Sequence, residues 1–186
     1  TTTSTVFDIK THAPPHHHDD VFATVLCAHA DACRTHLPPG APPPALAVAR
    51  VRDASVKALW VVDVDERYDA ANRRFDHHQQ SGGTEGHSAA SLVWLHHGQQ
   101  VCERWCRACG VAPVDDSPGA AGAWSALVAA VTHRAGEYVR YACAVDNNTA
   151  RSRLVRRPPG DPLATAVLDR LLQAVVDQRR AQLAPA

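Results

Sequence analysis

The sequence predicts an α/β domain: a mainly parallel sheet flanked by helices. Three observations carry this expectation. Short strand-like runs alternate with helical segments along the chain. One of them, Leu59-Trp60-Val61-Val62-Asp63-Val64, is almost continuously apolar, as strands buried on both faces are. A length of 186 residues with 45% hydrophobic content is enough for one domain, residues 1–186, with a real core.

The elements follow in order. Val6-Phe7-Asp8-Ile9-Lys10 reads as the first strand. A helix from His18 to His36 comes next, with Asp19 and Asp20 in its first turn, where the helix dipole favours acids. Leu37 to Pro44 is Pro-rich and reads as a loop. Leu46 to Val51 and Leu59 to Val64 are the second and third strands. Tyr68 to Phe75 is a short segment without a long apolar run, and Asp76-His77-His78 follows its end, Arg73-Arg74-Phe75. Ser81 to Gly86 is a flexible loop. A helix beginning at His87 runs to about Gly98, Gln99 to Ala108 continues helical, and Gly110 is the stop. Trp124 to Tyr138 predicts another helix, extending towards Val145. Pro158-Pro159-Gly160 breaks the chain, and Asp161 caps a last helix, Pro162 to Gln182, with Pro at its first position. Leu163, Val167, Leu171, Leu172, Val175 and Val176 there follow the 3.6-residue period. No internal repeat is visible.

Composition narrows the function classes. Lys+Arg and Asp+Glu number 19 each, so no global field attracts nucleic acid. A nucleic-acid contact needs a local patch, for which Arg151-Ser152-Arg153-Leu154-Val155-Arg156-Arg157 is the candidate, although a solvated connector is the favoured reading. No apolar run is long enough to span a bilayer, and no secretory signal is present. Six cysteines without scaffold spacing read as reduced, hence intracellular. Cys102, Cys106 and Cys109 share one helical face and read as small core residues rather than an iron–sulfur loop. Trp94 and Trp124 read as core aromatics. Met is absent, even at position 1, as expected of a chain processed after synthesis or trimmed at its start. A lost mitochondrial presequence explains this, so a mitochondrial location is expected, with nucleus and cytoplasm as alternatives.

The chemistry concentrates in Asp76-His77-His78. A carboxylate beside two imidazoles is costly to bury without a partner and well suited to a divalent ion. His12, His17, Asp19, Asp63 and Asp146 stand where they complete a site. Open parallel sheets place sites beyond the carboxyl ends of their strands. His12 follows the first strand, and Asp63 ends the run that begins at Leu59. Carboxylates and imidazoles without a thiol suit Mn²⁺ or Mg²⁺ better than structural zinc. Carboxylates also bridge paired ions, a common device for phosphoester hydrolysis. Each residue alone has a plainer reading: a surface His tract at His16-His17-His18, a loop residue at His12, a cap at Asp146, a dipole-favoured helix end at His96-His97.

Set in order, these segments resemble the DHH phosphoesterase superfamily and, more closely, the melanocyte-proliferating-gene family of exonucleases. The segment from Thr11 to Asp20, THAPPHHHDD, is similar to that family's opening T-H-N-G-x-F-H-C-D-E. Val51-Arg52-Asp53 resembles R-x-R-D, and Val61-Val62-Asp63-Val64 matches V-V-D-V. Tyr68-Asp69 and Arg74-Phe75-Asp76-His77-His78-Gln79 match Y-D and R-Y-D-H-H-Q. The segment from His87 to Trp94 is similar to S-S-A-G-L-V-Y, and Ala144-Val145-Asp146-Asn147-Asn148 to A-I-D-N-G. The ordered set, from residue 11 to residue 148, is far more specific than any one motif.

The resemblance implies the amino-terminal domain of that superfamily and two ions, Mn²⁺ or Mg²⁺. It places His12 and His17 on the first ion, Asp19, His77 and Asp146 on the second, and Asp63 between them. Asp76 orients an imidazole, His78 faces the phosphate, and a bridging water is the nucleophile. The implied activity is 3′-5′ hydrolysis of RNA or short nucleotides. Three departures favour an alternative, an inactive structural or binding subunit with protein partners in a larger, possibly mitochondrial assembly. Ala13-Pro14 replaces the flexible Asn-Gly, the loop from Gln80 to His87 is shorter, and the family's carboxyl-terminal region is expected to be absent.

Overall fold

Three parallel strands hold the centre of the computed structural model, which describes residues 7–13, 18–36, 38, 46–51, 55–79, 86–108, 110 and 117–146. β1 (Phe7–Thr11) lies between β2 (Val48–Arg50) and β3 (Ala58–Val62) and is parallel to both. β5 (Arg74–Phe75) pairs with β3 in parallel, and β4 (Tyr68–Asp69) runs antiparallel along β5. The order β2-β1-β3-β5-β4 is the mainly parallel α/β sheet that the sequence predicts.

The helices are α1 (His18–Arg34), α2 (Ala89–Ala108) and α3 (Pro118–Asp146). Their apolar residues, among them Phe22 and Leu26, Leu92 and Cys102, Val131 and Val139, join Ile9, Trp60, Val62 and Phe75 in one core. Side chains alternate along a strand. Lys10, next to Ile9, therefore sits on the opposite face, beside its register partner Val61. Lys10 is wholly buried there and holds both oxygens of Asp65, at 2.7 and 2.9 Å.

Three local differences from expectation have physical reasons. Tyr68 to Phe75 forms a hairpin of two-residue strands, too short to leave an apolar pattern. Asp69 caps the 3₁₀ turn Ala70–Asn72 by accepting from the Asn72 N–H, and Arg73, at φ 56°, turns the chain back. α2 continues through Gly98 to Ala108, as expected, and the Trp94 ring occupies the space a side chain at Gly98 would take. His96 and His97 therefore lie mid-helix rather than at a helix end: His96 meets the Tyr68 hydroxyl at 2.6 Å, and His97 stands edge-on to Trp60. α3 starts six residues before Trp124, at Pro118, with Ser117 Oγ accepting the Ala120 N–H.

Cys102 and Cys106 are fully buried in the core, and Trp94 and Trp124 pack against it, as expected. The final helix at 162–182, the 81–85 stretch, Cys109 and nearly all of the 37–44 loop lie outside the described residues.

Candidate metal centre

Each of three neighbouring strands delivers one polar residue as the first position beyond its carboxyl end. β1 ends at Thr11 and is followed by His12, β3 at Val62 by Asp63, and β5 at Phe75 by Asp76. The register Lys10↔Val61 and Val62↔Phe75, continued by one or two residues, ranks His12, Asp63 and Asp76 side by side. Adjacent strands are about 4.8 Å apart, so the three side chains share one rim. The Asp63 N–H still donates to Phe75 O at 3.0 Å, which carries the ladder into the site.

The turn after β3 is strained in a particular way. Asp63, Asp65 and Glu66 all have positive φ, at 56°, 84° and 49°. None is glycine, and such conformations cost about 1–3 kcal/mol each. The surroundings hold them: Lys10 grips Asp65, and Asp76 Oδ2 accepts the Glu66 N–H at 2.7 Å. The left-handed backbone at Asp63 keeps its carboxylate in the rim, 3% exposed.

Three imidazoles surround that carboxylate. His12 Nε2 is 3.2 Å from Asp63 Oδ2, and His77 Nδ1 and His78 Nδ1 are each 3.6 Å from Asp63 Oδ1. Yet neither Asp63 oxygen accepts a well-directed hydrogen bond among the described residues, although both are buried. Buried carboxylate oxygens are nearly always satisfied. The donor set around them, nitrogen and oxygen without sulfur, is chemistry that a divalent cation completes. Asp63, Asp76, His77 and His78 offer ligand atoms within 4.8 Å of one another, enough to hold a metal ion.

His12 is fixed by donating from Nδ1 to Ala13 O at 2.6 Å, which commits Nε2 to the carboxylates. Asp63 pushes this imidazole up from 6.5 to about 9, against burial and with help from Ala13 O and Asp20. His78 is half-exposed; Asp76 Oδ1 accepts both its N–H, at 3.0 Å, and its Nδ1–H, at 2.6 Å. That bond raises the His78 pKa against burial. Burial works to raise the Asp76 carboxyl, but the His78 ring and the backbone N–H groups of His78 and Glu66 hold it below its ordinary value. His77 and His78 stack at 4.2 Å. Turned to satisfy both its neighbours, the Gln79 amide donates to Asp76 O and accepts from Tyr68 N, tying the triad to the hairpin.

Asp19 also carries a structural task. Its Oδ2 and Oδ1 accept the N–H groups of Ala89 and Ala90, both at 2.7 Å, with His77 Nδ1 at 3.9 Å. These are the first two amides of α2. The next, Ser91 N–H, goes to Ser88 Oγ, while Ser91 Oγ accepts the Ser88 N–H. The four donors that a helix start leaves over are thus all satisfied, two of them by a carboxylate from α1.

Sequence reasoning missed Asp20. It is wholly buried, with Oδ2 3.4 Å from His12 Nε2, and it faces the same rim as Asp63. Arg50, closing β2, sets a guanidinium beside it; burial lowers the Arg50 pKa and Asp20 opposes that. The doubled acid was the available signal, since one carboxylate suffices for a helix dipole. The structure therefore brings together His12, Asp19, Asp63, Asp76, His77 and His78, and adds Asp20. His17 lies outside the described residues; Asp146 closes α3, and its side chain lies outside the description.

No helix among the described residues is long and apolar enough to cross a membrane. No curated protein and no solved structure matched the chain. A family model did: MYG1_exonuc, described as an uncharacterised protein family (UPF0160), matches residues 8–150. The match runs from within β1 to just past α3 and takes in the whole rim, so the chain belongs to the MYG1_exonuc family.

Proposed function

We propose that the protein is a metal-dependent phosphodiesterase acting on RNA or short nucleotides from a 3′ end, with the ancestry of the DHH phosphoesterases and the melanocyte-proliferating-gene exonucleases. The observation that carries this is Asp63: a buried carboxylate, both oxygens without a well-directed hydrogen bond, surrounded by His12, His77 and His78. The exonuclease in the family's name supports the reaction class.

In this reading His12, Asp63 and His77 hold divalent metal, with Asp19 and Asp20 alongside and His17 and Asp146 joining by resemblance. The imidazole share favours Mn²⁺ over Mg²⁺, which prefers oxygen. Bound metal supplies an acidified water and offsets charge that builds on the phosphoryl oxygens. Asp76 keeps the Nδ1–H of His78 occupied, which leaves Nε2 of this half-exposed ring for a phosphate oxygen. The positive-φ turn holds the Asp63 carboxylate at the centre of the set before substrate arrives.

The test is a Mn²⁺-dependent assay on short end-labelled RNA. Release of nucleotides from the 3′ end by the parent protein, abolished in Asp63→Asn, is the expected result. Equal turnover in Asp63→Asn removes Asp63 from the chemistry.

One observation favours the second reading, a subunit that keeps the fold without the activity. Both Asp19 oxygens are committed to the start of α2, a structural task that persists without catalysis. Stoichiometric capture of one protein partner, together with no hydrolysis in Mn²⁺, supports that reading.

A further inference from the structure

The charge balance of the chain conceals a separation. The metal rim gathers the acidic residues at the start of α1. A cavity of about 710 Å³ lies at the other end of that helix, beside Arg34, and it gathers cations. Arg34, Arg73, Arg104 and Arg107 line it, with Glu103 the one acidic residue of the lining. Arg34 also pairs with Asp31 at 2.8 Å, so the net charge stays at two or more positive. Asp19 and Arg34 are fifteen residues apart on α1, roughly 22 Å at 1.5 Å per residue. One mononucleotide does not span both places.

The way the arginines are held matters. The Arg73 guanidinium lies 5.4 Å over the Trp60 ring, and that of Arg107 lies 4.8 Å over Trp124. Cation–π contacts of this kind hold a guanidinium in place without consuming its N–H donors, which are left to bond an anion. Arg104 is positioned by donating to Pro38 O at 3.0 Å. Of the lining, Ala30, Trp60 and Arg104 are buried, while Arg34, Ala71 and Arg107 are exposed, so the cavity is open to solute. The carboxyl ends of α1 and α2 nearby oppose an anion, but each contributes only about half a negative charge against a side-chain balance of two or more positive.

We propose that this cavity is a second ligand site, separate from the metal rim, for a small phosphate-bearing molecule of nucleotide size. Its volume suits such a ligand, and guanidinium edges are the groups that recognise phosphate bidentately. The proposal does not rest on the phosphodiesterase reading. The cavity is also a local basic patch assembled from distant segments, unlike the contiguous 151–157 run singled out in the sequence.

The experiment is calorimetric titration of the whole chain with AMP at low salt, with EDTA present so that the metal rim holds no cation. The expected result is saturable binding, unchanged in D63N and weakened about 10-fold or more in R73Q/R107Q, which lacks two charge-assisted donors. Should the double variant fold poorly by circular dichroism, R107Q, at an exposed position, is expected to weaken AMP in the same direction. Pyrophosphate is expected to compete with AMP, and adenosine is not. Absence of AMP binding at millimolar concentration overturns the proposal. So does wild-type affinity in R73Q/R107Q or in folded R107Q, loss of binding in D63N, or adenosine binding as well as AMP.

Discussion

His12 and Asp63 are the first residues beyond two adjacent parallel strands, and their side chains meet at 3.2 Å, Nε2 to Oδ2. The contact is set by register together with the left-handed backbone at Asp63. Lys10 pairs with Val61, and two further residues on each strand reach the pair. Because Nδ1 of His12 is spent on Ala13 O, Nε2 has no other direction to take. A rim built this way is as rigid as the sheet that carries it.

The first prediction concerns this pair. His12→Ala is expected to weaken Mn²⁺ binding by roughly 10–100-fold, the range typical of losing a metal-site partner. Electron paramagnetic resonance of free Mn²⁺ against protein concentration measures it. In the His12→Ala/Asp63→Asn double variant the losses are expected to fall short of additive, because the two residues act on one ion. Wild-type Mn²⁺ affinity in His12→Ala would falsify the assignment of His12 as a ligand.

The second prediction separates fold from site at Asp19. Removing its carboxylate strands two buried amides at the start of α2. Asp19→Ala is expected to cost about 3–6 kcal/mol, from two charge-assisted bonds at roughly 1.5–3 kcal/mol each. Asp19→Asn keeps one acceptor and is expected to recover about half of that loss. Urea unfolding gives the stabilities, and hydrogen exchange at Ala89 and Ala90 gives the local effect. Unchanged protection of those two amides in Asp19→Ala rules out the capping role.

Much of the rim was legible because parallel strands obey a strong rule: polar residues just past apolar runs converge. Val61-Val62-Asp63 announced itself in this way, and the triad at Asp76-His77-His78 did so by composition. The strand beneath that triad did not. Arg74 and Phe75 make a two-residue strand, stabilised by β3 on one side and β4 on the other, and nothing in its own sequence carries a period. The double duty of Asp19 was equally hidden, since it joins α1 to α2 across seventy residues. The four arginines of the basic cavity are likewise scattered over α1, the hairpin and α2. Local patterns locate residues on elements; long-range partnerships depend on packing.

The third prediction is a pH dependence seated far from the rim. His29 is 3% exposed, stands edge-on to Trp105, and has an Nε2 without a hydrogen-bond partner among the described residues. Burial, with the charge of Arg104 behind it, pushes its pKa from 6.5 down to about 4. The folded state therefore resists a proton that the unfolded chain takes up below pH 6.5. Stability is expected to fall on acidification between pH 6.5 and about 4 and to level off below, by up to about 3 kcal/mol from this residue. His29→Phe keeps a ring against Trp105 and removes the proton site. Chemical unfolding of both proteins at pH 7 and pH 4.5 is expected to show the smaller acid loss in His29→Phe. Equal losses dismiss His29 as the source.

The fourth prediction tests why α2 runs unbroken through a glycine. A Cβ built at Gly98 lies 2.7 Å from two atoms of the Trp94 ring, one turn back on the same helix. The ring has little room to swing, since a Cβ at Gly136 on α3 would stand 3.3 Å from Trp94 Nε1. Alanine is the better helix former by about 1 kcal/mol, whereas forcing a packed indole aside costs about 1–3 kcal/mol. The steric effect is the larger, so Gly98→Ala is expected to destabilise the protein by roughly 1–2 kcal/mol. Trp94→Ala removes the Cγ, Cδ2 and Cε2 atoms that crowd the site and changes the sign: in that background Gly98→Ala is expected to be neutral or stabilising. The cycle of four proteins, followed by thermal unfolding, isolates the coupling between the two positions. If Gly98→Ala destabilises equally with Ala at 94, the strain lies elsewhere along α2.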